Sequence, residues 1–182
     1  MSVSLAVWLT FALLLFWWTG AYNRLVRLRA QSLQTFVGLN DLLRPHTDLL
    51  SAHFTVLVVP VLDPPGPGSA SAWTALEATL EPFNRALKLA QAQPLDHLKI
   101  QPLRDALAAL ALAWSQLRDL PPDLAGPALP DHLQLEWTQV AVQVERAQAE
   151  FNRSIMNYNE AIAQFPALLL AQVFGFKPAL PI

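Results

Sequence analysis

The sequence predicts an all-α protein, with an N-terminal transmembrane helix followed by an antiparallel four-helix up-and-down bundle and a short apolar C-terminal tail. Three observations predict it. Val3 to Ala21 is a run of nineteen residues without a charged side chain, and it leads straight into Arg24, Arg27 and Arg29. Beyond it, apolar residues recur at spacings of three and four, the period of a helix with one buried face. The chain is rich in Ala, Leu and Gln and carries six glycines in 182 residues, a mix that favours helices over sheet.

The first element, residues 1–21, reads as a membrane anchor. Nineteen helical residues rise about 28 Å, close to the hydrocarbon thickness of a bilayer. Ser2, Ser4 and Thr10 are compatible with it, because a hydroxyl in a helix can return its hydrogen bond to a carbonyl in the preceding turn. Trp17, Trp18 and Tyr22 stand where an interfacial aromatic belt would stand. The competing reading is a cleaved secretory signal. A basic n-region is missing, and Thr19-Gly20-Ala21 is a poor cleavage pattern. With no Lys or Arg before the span and three after it, the positive-inside rule places the N-terminus outside and the rest in the cytoplasm.

About 160 residues follow the anchor, a normal size for one domain with one core. Prolines and glycines punctuate them at Pro60 to Gly68, at Pro94 and at Pro121 to Pro130. The helices are expected at about 22–59, 70–92, 95–119 and 131–165, with a tail over 166–182. Helix one turns Leu25, Leu28, Phe36, Leu39, Leu43, Leu50, Phe54 and Leu57 to one side, and Pro45 should interrupt and kink it. Leu57 to Leu62 could instead be a short extended piece. Helix two offers the stripe Trp73, Leu76, Leu80, Phe83 and Leu87, with Ser71 a candidate N-cap. Helix three offers Leu103, Leu107, Leu110, Trp114 and Leu117, with Asp96 at its start. In helix four, Trp137, Val140, Val144, Ala147, Phe151, Ile155, Tyr158, Ile162 and Phe165 form a coiled-coil-like heptad seam with a stutter near Phe151. Asp131 is its expected N-cap, and Pro166 ends it.

An even number of helices returns the chain to the membrane near residue 165, where FPALLLAQVFGFKP begins. Leu168, Leu169, Val173, Phe174 and Phe176 are expected against the base of the bundle beside Asn23 and Leu25, either plugging it or touching lipid, with Gly175 as the turning residue.

The chemistry-bearing residues are sparse. A formal net charge of −2 leaves no basic footprint for nucleic acid, and the absence of cysteine removes disulfides, thiolate nucleophiles and Cys-based zinc sites. No G-x-S-x-G, P-loop or G-x-G-x-x-G motif occurs. Among His46, His53, His97 and His132, the first two fall seven residues apart, about 10 Å along a helix, which is too far to share one ion directly. No metal, no cofactor and no catalytic residue is expected. Asn23, Asn152, Asn157 and Asn159 lie near the apolar stripes. They are either solvent-facing or form a buried amide pair, Asn23 meeting Asn157 or Asn159, that sets helix register.

The two ends of the chain carry a resemblance. Tyr22 to Arg29 (YNRLVRLR), Asp48 to Leu50 (DLL) and above all Tyr158 to Pro178 (YNEAIAQFPALLLAQVFGFKP) resemble the bacterial LemA family of membrane-anchored helical proteins. The positions carrying it are Tyr22, Asn23, Leu25, Asp48, Tyr158, Asn159, Phe165, Pro166, Gly175 and Phe176. The resemblance implies one membrane helix in the bacterial inner membrane, a bundle of bromodomain-like, mirror-variant topology, and no enzyme activity. The chain departs from the family pattern in helix one, with Asn40 and Ser51 where Asp and Pro are usual and Pro45 where a basic residue is usual.

The function these observations point to is a non-enzymatic, membrane-tethered scaffold or adaptor, contacting the bilayer through Val3 to Ala21 and a membrane-protein partner through the bundle. The alternative is a bundle that binds a lipid or other apolar ligand between Trp73, Phe83, Trp114 and Trp137.

Overall fold

A computed structural model describes the backbone of residues 2–57, 67–122 and 129–182, and the side chains of 7–52, 69–122 and 129–182. Among the described residues the chain is helical throughout its regular structure, with α1 (Ser2–Leu57), α2 (Pro67–Ala92), α3 (His97–Arg118), α4 (Asp131–Ala163) and α5 (Ala167–Phe174). Residues 58–66, which hold most of the expected extended piece at Leu57 to Leu62 and of the Pro60 to Gly68 loop, and 123–128 in the Pro121 to Pro130 loop lie outside the described residues, as do the side chains of His53, Phe54 and Leu57.

The helices pack as two antiparallel pairs, α1 along α4 and α2 along α3. Successive contacts set the α1/α4 direction. Arg24 meets Gln164, Phe36 meets Phe151 edge-on at 5.6 Å and His46 meets the Trp137 ring at 3.8 Å. Midway along this pair the hydroxyls of Thr35 and Ser154 share a hydrogen bond of 2.9 Å, satisfying two polar groups inside the interface. The pairs join where Gln91 on α2 donates to Asn40 on α1, and where Trp114 on α3 stacks on Trp137 of α4, 4.1 Å apart and 15° from parallel.

Most of each stripe read from the sequence forms the core, with Leu28, Leu107, Val140 and Ala147 half-buried at its edge and Phe165 exposed. Leu25, Phe36, Leu39, Leu43 and Leu50 of α1, the full Trp73 to Leu87 stripe of α2, Leu103, Leu110, Trp114 and Leu117 of α3, and Phe151, Ile155, Tyr158 and Ile162 of α4 are buried. Each fully buried large apolar side chain contributes about 1.5–3 kcal/mol. Leu170 of α5 closes the core at one end with no exposed surface.

Several local readings need correction. The helix runs on through Pro45 instead of being interrupted there, because the flanking Leu43, His46 and Thr47 are all packed in the core and tertiary burial outweighs one lost backbone bond. Ser71 is not an N-cap, for α2 begins four residues earlier at Pro67, where a missing N–H costs nothing. Asp131 is the first helical residue and Pro130 the cap position. Asp96 does cap α3, its carboxylate accepting from the Leu98 N–H at 3.0 Å.

The N-terminal part of α1 projects beyond the bundle. Every residue from Val7 to Gly20 is exposed, including Phe16 at 80%. Among the described residues no helix is long and apolar enough to cross a membrane. The side chains of Val3 to Ala6, which complete the expected span, lie outside them. What is left, Val7 to Ala21, is fifteen residues, about 22 Å of helix against a hydrocarbon core of about 30 Å.

Candidate functional site at the base of the bundle

The positions that carry the resemblance converge on one end of the molecule, with one exception. Leu25 is fully buried there. Tyr22 is half-buried, its ring 5.0 Å from Phe174 and 6.3 Å from Phe176. Phe165, 68% exposed, meets Trp17 edge-on at 5.4 Å, and the Phe165–Pro166 peptide is cis. Asp48 is the exception. It is exposed beside Pro45, His132 and Glu136, far along α1 from this base.

Pro166 starts α5 and Gly175 ends it. Gly175 has φ +70°, a left-handed conformation that a Cβ disfavours, and the Phe176 N–H closes back onto the Ala171 carbonyl at 2.9 Å, completing a Schellman cap. The turn expected at Gly175 therefore forms there. Of the five residues expected to pack, Phe176 does, half-buried against the core, and the other four do not. Leu168, Leu169, Val173 and Phe174 are exposed, whereas Ala167, Leu170 and Ala171 face the bundle. The tail is a helix, so its buried positions fall three and four apart, and they centre on Leu170.

The asparagines act in a way the sequence did not suggest. Asn23 and Asn157 are exposed and form no register pair with Asn159, because the Asn159 amide faces the tail. Its Nδ2 donates to the Ala179 carbonyl at 2.8 Å and its Oδ1 accepts from the Ala179 N–H at 2.9 Å. Two turns earlier Asn152 does the same to Ile182, at 2.7 and 2.8 Å. Between them the Tyr158 hydroxyl donates to the Lys177 carbonyl at 3.1 Å. Burial raises the Tyr158 pKa, only partly offset by Arg29, and keeps the phenol a neutral donor. The signal that could have found this clamp was in the sequence, in that polar amides on a buried helix seam must find partners.

Arginines gather at this end, with Glu160, which accepts from Gln164, an acid among them. Arg24, Arg27 and Arg29 ring α1, with the Arg29 guanidinium 5.8 Å above the Phe176 ring. Beside them a cleft of about 660 Å³ runs between α1 and the α4–α5 corner, lined by Leu13, Trp17, Gly20, Arg24, Phe165 and Pro166 among others.

At the other end, His46 is buried with its Nε2 unpaired. Burial lowers its pKa to about 4, so the imidazole is neutral at ordinary pH. Trp137 lies between His46 and Trp114, and both indoles line a surface groove of about 620 Å³ between α3 and α4. Trp73 and Phe83 are packed in the core away from it. Among the described residues no group of three or more His, Asp or Glu could hold a metal ion.

A family model described as the LemA family matches residues 85–180, from within α2 to the tail. The Asn159–Ala179 and Tyr158–Lys177 contacts, α5 and its Gly175 cap fall inside the matched span, whereas Ile182, the partner of Asn152, follows it and Tyr22 to Arg29 and Asp48 precede it. No curated protein and no solved structure matches the chain.

Proposed function

The chain belongs to the LemA family, and from that premise we propose that it is a non-enzymatic scaffold tethered to a membrane by its N-terminal helix, with the bundle held at the bilayer surface to receive a membrane-protein partner. The observation that carries the reading is the uncharged, all-round exposed apolar helix from Val7 to Gly20 projecting from a packed bundle. A helix apolar on every face is stable only when buried, in a protein core or in lipid, and among the described residues the bundle leaves Val7 to Gly20 exposed.

The rest of the base suits the same environment. Trp17, Trp18 and Tyr22 sit between the apolar helix and Arg24, Arg27 and Arg29, the order in which an aromatic belt and flanking cations occur at a bilayer boundary. The exposed side of α5 adds Leu168, Leu169, Val173 and Phe174 at that level. The arginine asymmetry supports a reading with the N-terminus outside and the bundle in the cytoplasm, at the bacterial inner membrane. The exposed apolar side chains and the arginines at the base suit a binding role.

The test is fractionation of the full chain. Retention in the membrane pellet through high salt and alkaline carbonate, with release only by detergent, is the expected result. Recovery of a soluble mature chain beginning near Tyr22 would show a cleaved signal and end the tether.

A further inference from the structure

We propose that the cleft between the N-terminal part of α1 and the α4–α5 corner is a binding site for one phospholipid molecule, its acyl chain lying along Leu13, Trp17 and Gly20 and its phosphate on Arg24. The inference rests on the tethered reading above and deepens it.

The cleft has the polarity of such a ligand. Its walls are apolar, Leu13, Leu14, Phe16 and Trp17 on α1 facing Phe165 and Pro166, and its polar groups are Arg24 and Gln164 at one end. The Arg24 Nη1 lies 3.4 Å from Gln164 Oε1, a long bond between an exposed pair. Among the described residues no carboxylate pairs with Arg24, so its remaining donors can meet an anionic oxygen, for which a guanidinium fork is well shaped. From Leu13 to Arg24 is eleven residues, about 16 Å of helix, and one leaflet is about half of a 30 Å hydrocarbon core. A chain in this cleft would thus reach from headgroup level to near the midplane. The volume, about 660 Å³, falls in the range of clefts that hold a small ligand.

Gly20 keeps the cleft open. A Cβ built there meets nothing within 4 Å, so a larger side chain would occupy ligand space without disturbing the packing. Gly38 is an equally unobstructed glycine on the same helix, exposed on the bundle and away from the cleft, and it supplies the control.

The experiment is native mass spectrometry of the full chain in mild detergent, titrated with phosphatidylglycerol and, separately, with diacylglycerol. The wild type and Gly38→Leu are expected to take up one phosphatidylglycerol saturably, whereas Gly20→Leu should lose that adduct tenfold or more. Arg24→Gln should weaken phosphatidylglycerol several-fold and leave diacylglycerol unchanged. Equal uptake by Gly20→Leu and Gly38→Leu, a ladder of adducts without a step at one, or a dimer in place of the adduct would each overturn the proposal. Alkaline extraction of the same wild-type protein separates the two readings. Retention without a saturable adduct removes the lipid site alone, and release removes the tether and the site together.

Discussion

The amide of Asn159 reads both main-chain groups of Ala179, and the amide of Asn152 reads both of Ile182. The two pairs match in length. Asn152 and Asn159 are seven residues apart on α4, about 10.5 Å, while the three residues from Ala179 to Ile182 span about 10 Å when extended. Each amide substitutes for the neighbouring strand that an extended segment would otherwise need, so a tail too short to fold alone is held along a helix.

Loss of Asn159 should therefore release the tail. Asn159→Ala leaves the half-enclosed N–H and carbonyl of Ala179 without partners, at a cost of about 1–3 kcal/mol. Thermal unfolding in detergent would read the stability, and hydrogen exchange should show protection lost at Ala179 and Ile182. Protection retained at both would disprove the clamp.

The α4 seam should dominate the core. Phe151→Ala and Tyr158→Ala each remove a buried aromatic, 0% and 2% exposed, and should cost about 3 kcal/mol or more. Gln143→Ala, on the exposed side of the same helix, should cost little. Similar melting temperatures for all three variants would show the seam to be misassigned.

His46 should make stability depend on pH. Its folded pKa, about 4, lies below the usual 6.5, so the unfolded chain binds a proton that the folded chain refuses. The stability is fully present above pH 6.5 and falls as pH drops from 6.5 towards 4, by up to about 3 kcal/mol for a shift of this size. Below 4 both states are protonated and this contribution stops changing. Denaturant unfolding across that window should show the slope in the wild type and lose it in His46→Leu, and an unchanged slope would assign it elsewhere.

The outer side of α5 should touch lipid. The chain has no cysteine, so single cysteines at Val173 and Leu169 can carry a fluorophore without background. In proteoliposomes they should be quenched by nitroxide lipids and shielded from aqueous iodide, while Leu112 and Val142, exposed on α3 and α4, behave the opposite way. Iodide access at Val173 equal to that at Leu112 would place α5 in water.

Much of this is legible in local sequence. Helix period, the buried stripes and the Asp96 cap depend on neighbours within a turn or two, and the apolar run before Arg24 is a property of composition. The turn at Gly175 was legible for the same reason, since a glycine beyond an apolar helical run is a local signal. Less was legible where two distant segments had to meet. The tail's buried face was misjudged because its apolar residues are nearly continuous from Ala167 to Phe174, so periodicity does not say which of them turn inward. The packing of Leu170 against α1 and α4 chose.

Residue pattern alone suffices for an all-helical chain, one apolar N-terminal segment bounded by arginines, and most of the residues that line the core, because burial of apolar area follows from pattern. Only the tertiary structure decided that α1 pairs with α4, that Asn152 and Asn159 serve the tail and not Asn23, and that a helix carries on past Pro45. It also decided that His46 is enclosed beside Trp137 with its Nε2 unpaired. These outcomes depend on hydrogen-bond partners and packing surfaces supplied from twenty or more residues away, and a polar side chain's role is set by which of those it meets.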